Sequence, residues 1–125
     1  MANEITVTQY MTCSRNGNVT RLWNPTGRKS FNQAGADNAD SGTQTINTTI
    51  TDITLTTVGT PGFLGIRNLD LTNYVDIGYD DSGTLRNLIR LYPQEYCNFR
   101  LVPGKTLAAQ ANSSSCIVEF LILEA

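Results

Sequence analysis

Residues 62–83 read GFLGIRNLDLTNYVDIGYDDSG, and how this stretch is taken decides the fold. It holds four aspartates and two asparagines, enough oxygen for a cation loop or a carboxylate pair. The register of its apolar residues gives another reading. Leu64 and Ile66 stand two apart, as do Val75 and Ile77, and each pair supplies one face of a short strand. Between them Asn68, Asp70, Thr72 and Asn73 are residues that turn a chain by bonding their own backbone. Asp80, Asp81 and Gly83 open the next connection. The stretch therefore predicts strand, turn, strand, turn.

Working outward, the same grammar recurs. Ile5, Val7, Gln9 and Met11 alternate, and Asn16-Gly17 is a favoured hairpin pair. Val19 to Trp23 gives a second strand, Asn24 to Gly27 a turn, and Arg28 to Asn32 a third, short strand. Residues 33–42, QAGADNADSG, carry no apolar side chain larger than alanine and predict a flexible polar loop or arm. Thr43 to Thr48 and Ile50 to Val58 follow as strands, the second with Ile53 and Leu55 on one face. Gly59 to Gly62 is a proline turn, and Phe63 to Leu69 and Tyr74 to Gly78 come next. In Leu85 to Leu91, alternation puts Leu85, Ile89 and Leu91 on one face and Arg86, Leu88 and Arg90 on the other. Cys97, Phe99 and Leu101 alternate, then Leu107, Ala109 and Ala111. The last run, Cys116 to Leu123, is apolar on both faces apart from Glu119, the mark of a central strand. No window shows helical periodicity.

These elements predict an all-β, single-domain β-sandwich over residues 1–125, jelly-roll type, with about eight short antiparallel strands. An immunoglobulin-like sandwich is the main rival, but Trp23 does not stand in that fold's relation to the cysteines. A chain of 125 residues buries roughly two thirds of its unfolded surface, so it needs no staples. Cys13, Cys97 and Cys116 are odd in number and lack CxxC spacing, which fits neither a disulfide framework nor a zinc site. Cys97 and Cys116 fall in apolar patterns and are expected to act as small core residues.

Charged residues make up 16% of the chain, low for a soluble domain, and Thr, Asn, Ser and Gln fill the gap. The net charge of -2 argues against a nucleic-acid partner. The distribution is uneven. Arg15, Arg21, Arg28 and Lys29 face only Glu4 within residues 1–36, whereas residues 37–81 hold seven aspartates against Arg67. The basic segment is thus a candidate partner-binding surface. No stretch approaches the roughly 20 apolar residues of a membrane helix, and the N-terminus lacks signal-peptide architecture. Folding in a cytoplasm, away from membranes, is the expectation.

Histidine is absent, which removes the usual general base and the commonest metal ligand. The close acidic pairs, Asp80 with Asp81 and Asp76 with Asp80, lie beside turn glycines. The oxygens of Asp70, Asn73, Asp76, Asp80 and Asp81 do not follow the EF-hand register. No phosphate-binding glycine loop is present. The reading is a non-enzyme with no cofactor and no metal.

Four segments together carry a resemblance: MANEITVTQYM at 1–11, PGFLGIRNLDLTNYVDIGYD at 61–80, LYPQEYCNFRLVPGKTLAAQAN at 91–112 and EFLILEA at 119–125. The chain resembles small virion structural proteins of tailed bacteriophages, most specifically over Arg67 to Gly78. The resemblance implies a capsid cement or decoration protein. Such a protein sits on the outside of the phage head as a homotrimer and stabilises contacts between major capsid protein subunits. It is assembled in the bacterial host cytoplasm. The alternative is a tail or fibre-associated host-recognition module that binds surface glycans. No site residue carries over, because the resemblance marks a scaffold.

Overall fold

The computed structural model describes the backbone of residues 5–31 and 38–124, and the side chains of residues 5–9, 11–19 and 38–124. The chain divides into two compact units, Met1–Ala34 and Gly35–Ala125.

The first unit is one long antiparallel hairpin, β1 (Ile5–Arg15) with β2 (Asn18–Phe31). Asn16 and Gly17 both take positive φ, 51° and 80°, the two left-handed residues that a tight hairpin with right-twisted strands requires. The register jumps from Gln9 opposite Gly27 to Met11 opposite Leu22. Contrary to the sequence reading, the chain does not turn back at Asn24 to Gly27, and Arg28 onward is the continuation of β2 and not a third strand. It loops out locally there and rejoins β1. Pro25 lies in this interruption and has no N–H to give a ladder.

The second unit is an eight-stranded β-sandwich without a helix among the described residues. Its strands are β3 (Ala39–Ile46), β4 (Thr51–Asp52), β5 (Pro61–Asn68), β6 (Val75–Asp81), β7 (Thr84–Leu91), β8 (Tyr96–Arg100), β9 (Leu107–Ala111) and β10 (Cys116–Glu124). They form two antiparallel sheets in the orders β3-β10-β5-β8 and β4-β9-β6-β7. The chain passes from one sheet to the other at every step except the β6–β7 hairpin. Leu64, Val118 and Ile122 of the first sheet and Val75, Ile77 and Ala109 of the second are almost wholly buried in one core. Cys116 is buried with them, and half-buried Cys97 packs against the cluster, as expected for small apolar side chains. Burial pushes the Cys97 thiol up to about 11, which keeps it protonated and unreactive at neutral pH.

Four features of the sandwich differ from the sequence reading, two of them strand boundaries. β3 begins at Ala39, so Ala39 to Gly42 belong to a strand and not to the polar arm; residues 32–37 lie outside the described residues. Asp40 is the cause: its buried carboxylate accepts N–H bonds from Thr56 (2.9 Å) and Val58 (2.9 Å) and from Thr57. The same bonds explain why Ile50 to Val58 is not one strand. Only Thr51–Asp52 pair, and the backbone beyond is wound round Asp40 instead of lying in a ladder.

The third difference is in β7. Ile77 opposes Ile89 but Gly78 opposes Asn87, so Leu88 is the extra residue of a bulge. Alternation fails across it. Leu85 and Asn87 fall on the face of Asp80 and Gly78, and Arg86 falls on that of Tyr79. Gly78 permits this. A Cβ there would overlap the carbonyl of Arg86 and lie 2.7 Å from Asn87 Cα. The fourth difference is in β10. It is central, between β3 and β5, as expected, yet only one of its faces is buried. Ile117 and Leu121 on the other face remain about half exposed, at 49% and 47%.

Candidate interaction surfaces

The acids of the opening stretch are engaged in holding the fold. Asn68 is fully buried. Its amide donates to the carbonyls of Asn73 (2.9 Å) and Leu91 (3.1 Å), and its Oδ1 accepts the N–H of Asp70 (3.0 Å). Asp70 in turn accepts the N–H groups of Asn73 (2.6 Å) and Thr72 (3.2 Å), which hold its carboxyl below the ordinary value. Asp80 accepts from the N–H of Gly83 at 2.7 Å, and Asp81 pairs with Arg86 at 3.1 Å. Asp76 takes a two-pronged bond from Arg90, at 2.7 and 2.9 Å, and the guanidinium lies 3.9 Å over the Tyr74 ring. Hydrogen bonding to Arg90 lowers the Asp76 carboxyl. Glu124 caps the proline turn by accepting from Gly59 (2.9 Å) and Thr60 (2.8 Å). Among the described residues no group of three or more acids or cysteines is placed to hold a metal ion. Asp52 stands apart. Burial and then the charge of Asp80 raise its carboxyl.

The two halves of the sequence signature meet in space. Asn68 N–H donates to the carbonyl of Glu95, and Gln94 N–H donates to that of Asn68. Gln94, at φ 67°, also donates from its side chain to the carbonyl of Leu69 (2.9 Å) and accepts from Arg67 (2.9 Å). Glu95 closes its own turn by accepting the N–H of Tyr92 at 2.8 Å. This knot fixes the loop 69–74 in one shape. At its tip Leu71 is 79% exposed.

The first candidate surface is the outer face of the sheet β3-β10-β5-β8. Register places Ser41, Leu121, Gly65 and Asn98 in one row across the four strands, and Thr43, Glu119, Arg67 and Tyr96 in the next. Gly65 has no side chain, so a shallow groove opens over it between Leu121 and Asn98. Tyr96 is 74% exposed beside this groove. Ile117 and Leu121 add apolar area on either side of the row that holds Glu119 and Arg67.

The second surface is a cleft of about 330 Å³ where the two sheets part along β7 and β8. Ile77, Ile89, Phe99, Leu101 and Leu107 make it apolar, and the exposed Arg86, Arg100 and Lys105 add positive charge. Lys105 lies 4.9 Å over the Tyr79 ring. The β7 bulge turns Leu88 out at the same place, at 89% exposure, beside Val102 at 74%.

The basic residues singled out in the sequence all belong to the hairpin. Arg15 is exposed next to the turn and pairs with Asn18. Arg21 stands opposite Thr12, Arg28 opposite Thr8 and Lys29 opposite Val7, while the side chains of these three lie outside the described residues. Sequence reasoning missed both surfaces of the sandwich. The outer face was hidden by reading β10 as buried on both sides. The cleft depends on a bulge whose only sequence trace is Gly78. Comparison with known protein families, curated proteins and solved structures finds no match to this chain.

Proposed function

We propose that this chain is a structural protein of a phage virion, a cement or decoration protein that docks on the outside of the head shell and ties major capsid protein subunits together. The observation that carries the reading is the outer face of β10. A central strand leaves Ile117 and Leu121 about half exposed on either side of Glu119, which stands opposite Thr43 and Arg67, and two apolar side chains around one charged row suit a face covered by a neighbour. The resemblance of Arg67 to Gly78 and Leu91 to Asn112 to small virion proteins supports it. The strand orders of the two sheets also match a jelly roll of interlocked Greek keys, and we read the fold so. The hairpin with Arg15, Arg21, Arg28 and Lys29 is a second docking element toward an acidic shell surface. Trimeric association would multiply a modest contact into high avidity.

Purified protein mixed with phage shells stripped of their decoration should bind saturably. Replacing Ile117 and Leu121 together by serine should abolish binding while the fold survives. Absence of saturable binding by the unaltered protein sinks the reading.

The groove over Gly65 favours a second reading, host recognition through surface glycans. Exposed Tyr96 offers a ring for a sugar face, and Asn98, Arg67 and Glu119 offer polar groups around it. Counting copies in intact virions separates the two, since hundreds mean shell and a handful mean tail.

A further inference from the structure

We propose that the sandwich associates head to tail with further copies of itself, Leu71 of one copy entering the apolar cleft of the next. The inference deepens the virion reading, and rests on it only in expecting self-association.

Knob and cleft lie at opposite ends of the same strands. Leu71 follows Asn68, the last residue of β5, and precedes Val75, the first of β6. The cleft takes in Pro61, the first residue of β5, and Tyr79 near the end of β6. Eight residues of β5 span roughly 26 Å, so a sandwich cannot fill its own cleft with its own Leu71. Another copy can. Such a contact uses two different patches, which yields rings or fibres but never a two-fold dimer.

Shape and charge agree. The cleft, at about 330 Å³, exceeds any one side chain, so the loop tip enters with its leucine. Asp70, whose carboxylate accepts the N–H groups of Thr72 and Asn73, adjoins Leu71, and the cleft carries Lys105, Arg100 and Arg86, the last already paired with Asp81. Opposite charges beside an apolar anchor fix orientation. The loop is already rigid through Asn68, Asp70 and Gln94, so little freedom is lost on docking. Leu88 and Val102, otherwise stranded in water, would be covered.

The test uses the full chain, without shells, by light scattering on a sizing column across a concentration series. The unaltered protein should run larger than a monomer, as a ring or as a series that grows with concentration. Leu71→Asp spoils the knob and Leu88→Asp the cleft; both sites are exposed, and near-ultraviolet circular dichroism checks the fold. Each variant alone should weaken association by more than about thirtyfold. If Leu71→Asp fails to fold, Leu71→Ser replaces it. An equal mixture of the two variants should form heterodimers and nothing larger, because one intact knob meets one intact cleft. A monomeric unaltered protein overturns the proposal, as does an oligomer that survives both variants, or a mixture without heterodimers. So does native mass spectrometry finding the cleft filled by a small amphiphile. Shell binding is scored separately, so the head-to-tail contact and the shell reading can fail independently.

Discussion

The side-chain amide of Asn68 donates to the carbonyl of Leu91, 23 residues further along, at 3.1 Å inside the core. One buried side chain thereby joins the two segments that form the most distinctive part of the sequence. Asn68→Ala removes three bonds, among them the buried one to the Leu91 carbonyl and the part-buried one to the Asn73 carbonyl. It should cost about 2–4 kcal/mol, read from urea unfolding. A cost below about 0.5 kcal/mol would mean that water replaces the amide without penalty.

Gly78→Ala should destabilise the sandwich by about 1–3 kcal/mol through overpacking against the Arg86 backbone. The alternative response is retraction of the bulge, which shifts β7 by one residue. Amide exchange of β7 distinguishes the two, since only a shifted register changes which of its N–H groups are protected.

Leu64→Ala, at a fully buried position in the core, should cost about 2–5 kcal/mol. Leu121→Ser, outward on the neighbouring strand, should change stability by less than about 0.5 kcal/mol. Equal costs at the two sites would mean that the outer face is covered within the folded chain itself.

Much of this was legible from the sequence. Alternation located seven of the eight strands of the sandwich to within a few residues, overran the two-residue β4, and named Leu64, Ile66, Val75 and Ile77 as buried. The missing parts share a physical origin. Asp40 organises Thr56 to Val58 from 16 residues away or more, and no local propensity announces a carboxylate that serves a distant loop. The β7 bulge reverses alternation because of a backbone contact from the neighbouring strand. Exposure of Ile117 depends on whether anything covers the sheet, which a hydrophobic pattern alone does not state. The candidate surfaces arise from these three relationships, and so did not show.

Stability should fall in acid. Asp40, chiefly through the hydroxyl of Thr56 and the N–H of Val58, Asp70 through Asn73, Asp76 through Arg90 and Glu124 through Thr60 all have lowered carboxyls when folded. Unfolded, they titrate near about 3.9 to 4.3. Their contribution is complete above that range and is lost as pH falls through it toward the folded values. Asp40→Asn should lower the urea midpoint at neutral pH, and the gap to the unaltered protein should close below about pH 4. A gap independent of pH would assign Asp40 a role through shape alone.

Asp52 has the opposite sign. Its raised carboxyl disfavours the folded state once ionised, so Asp52→Asn should raise the midpoint at neutral pH and do little in acid. A lower midpoint at neutral pH would show that the charge is needed.

The bulge at Leu88 has one more effect. β7 is an outer strand of its sheet, and a straight outer strand offers an unbroken row of main-chain donors and acceptors to any passing chain. Here the extra residue breaks the row midway. A protein so rich in threonine and branched residues is thereby steered away from strand-by-strand stacking into amyloid and toward contacts chosen by side chains.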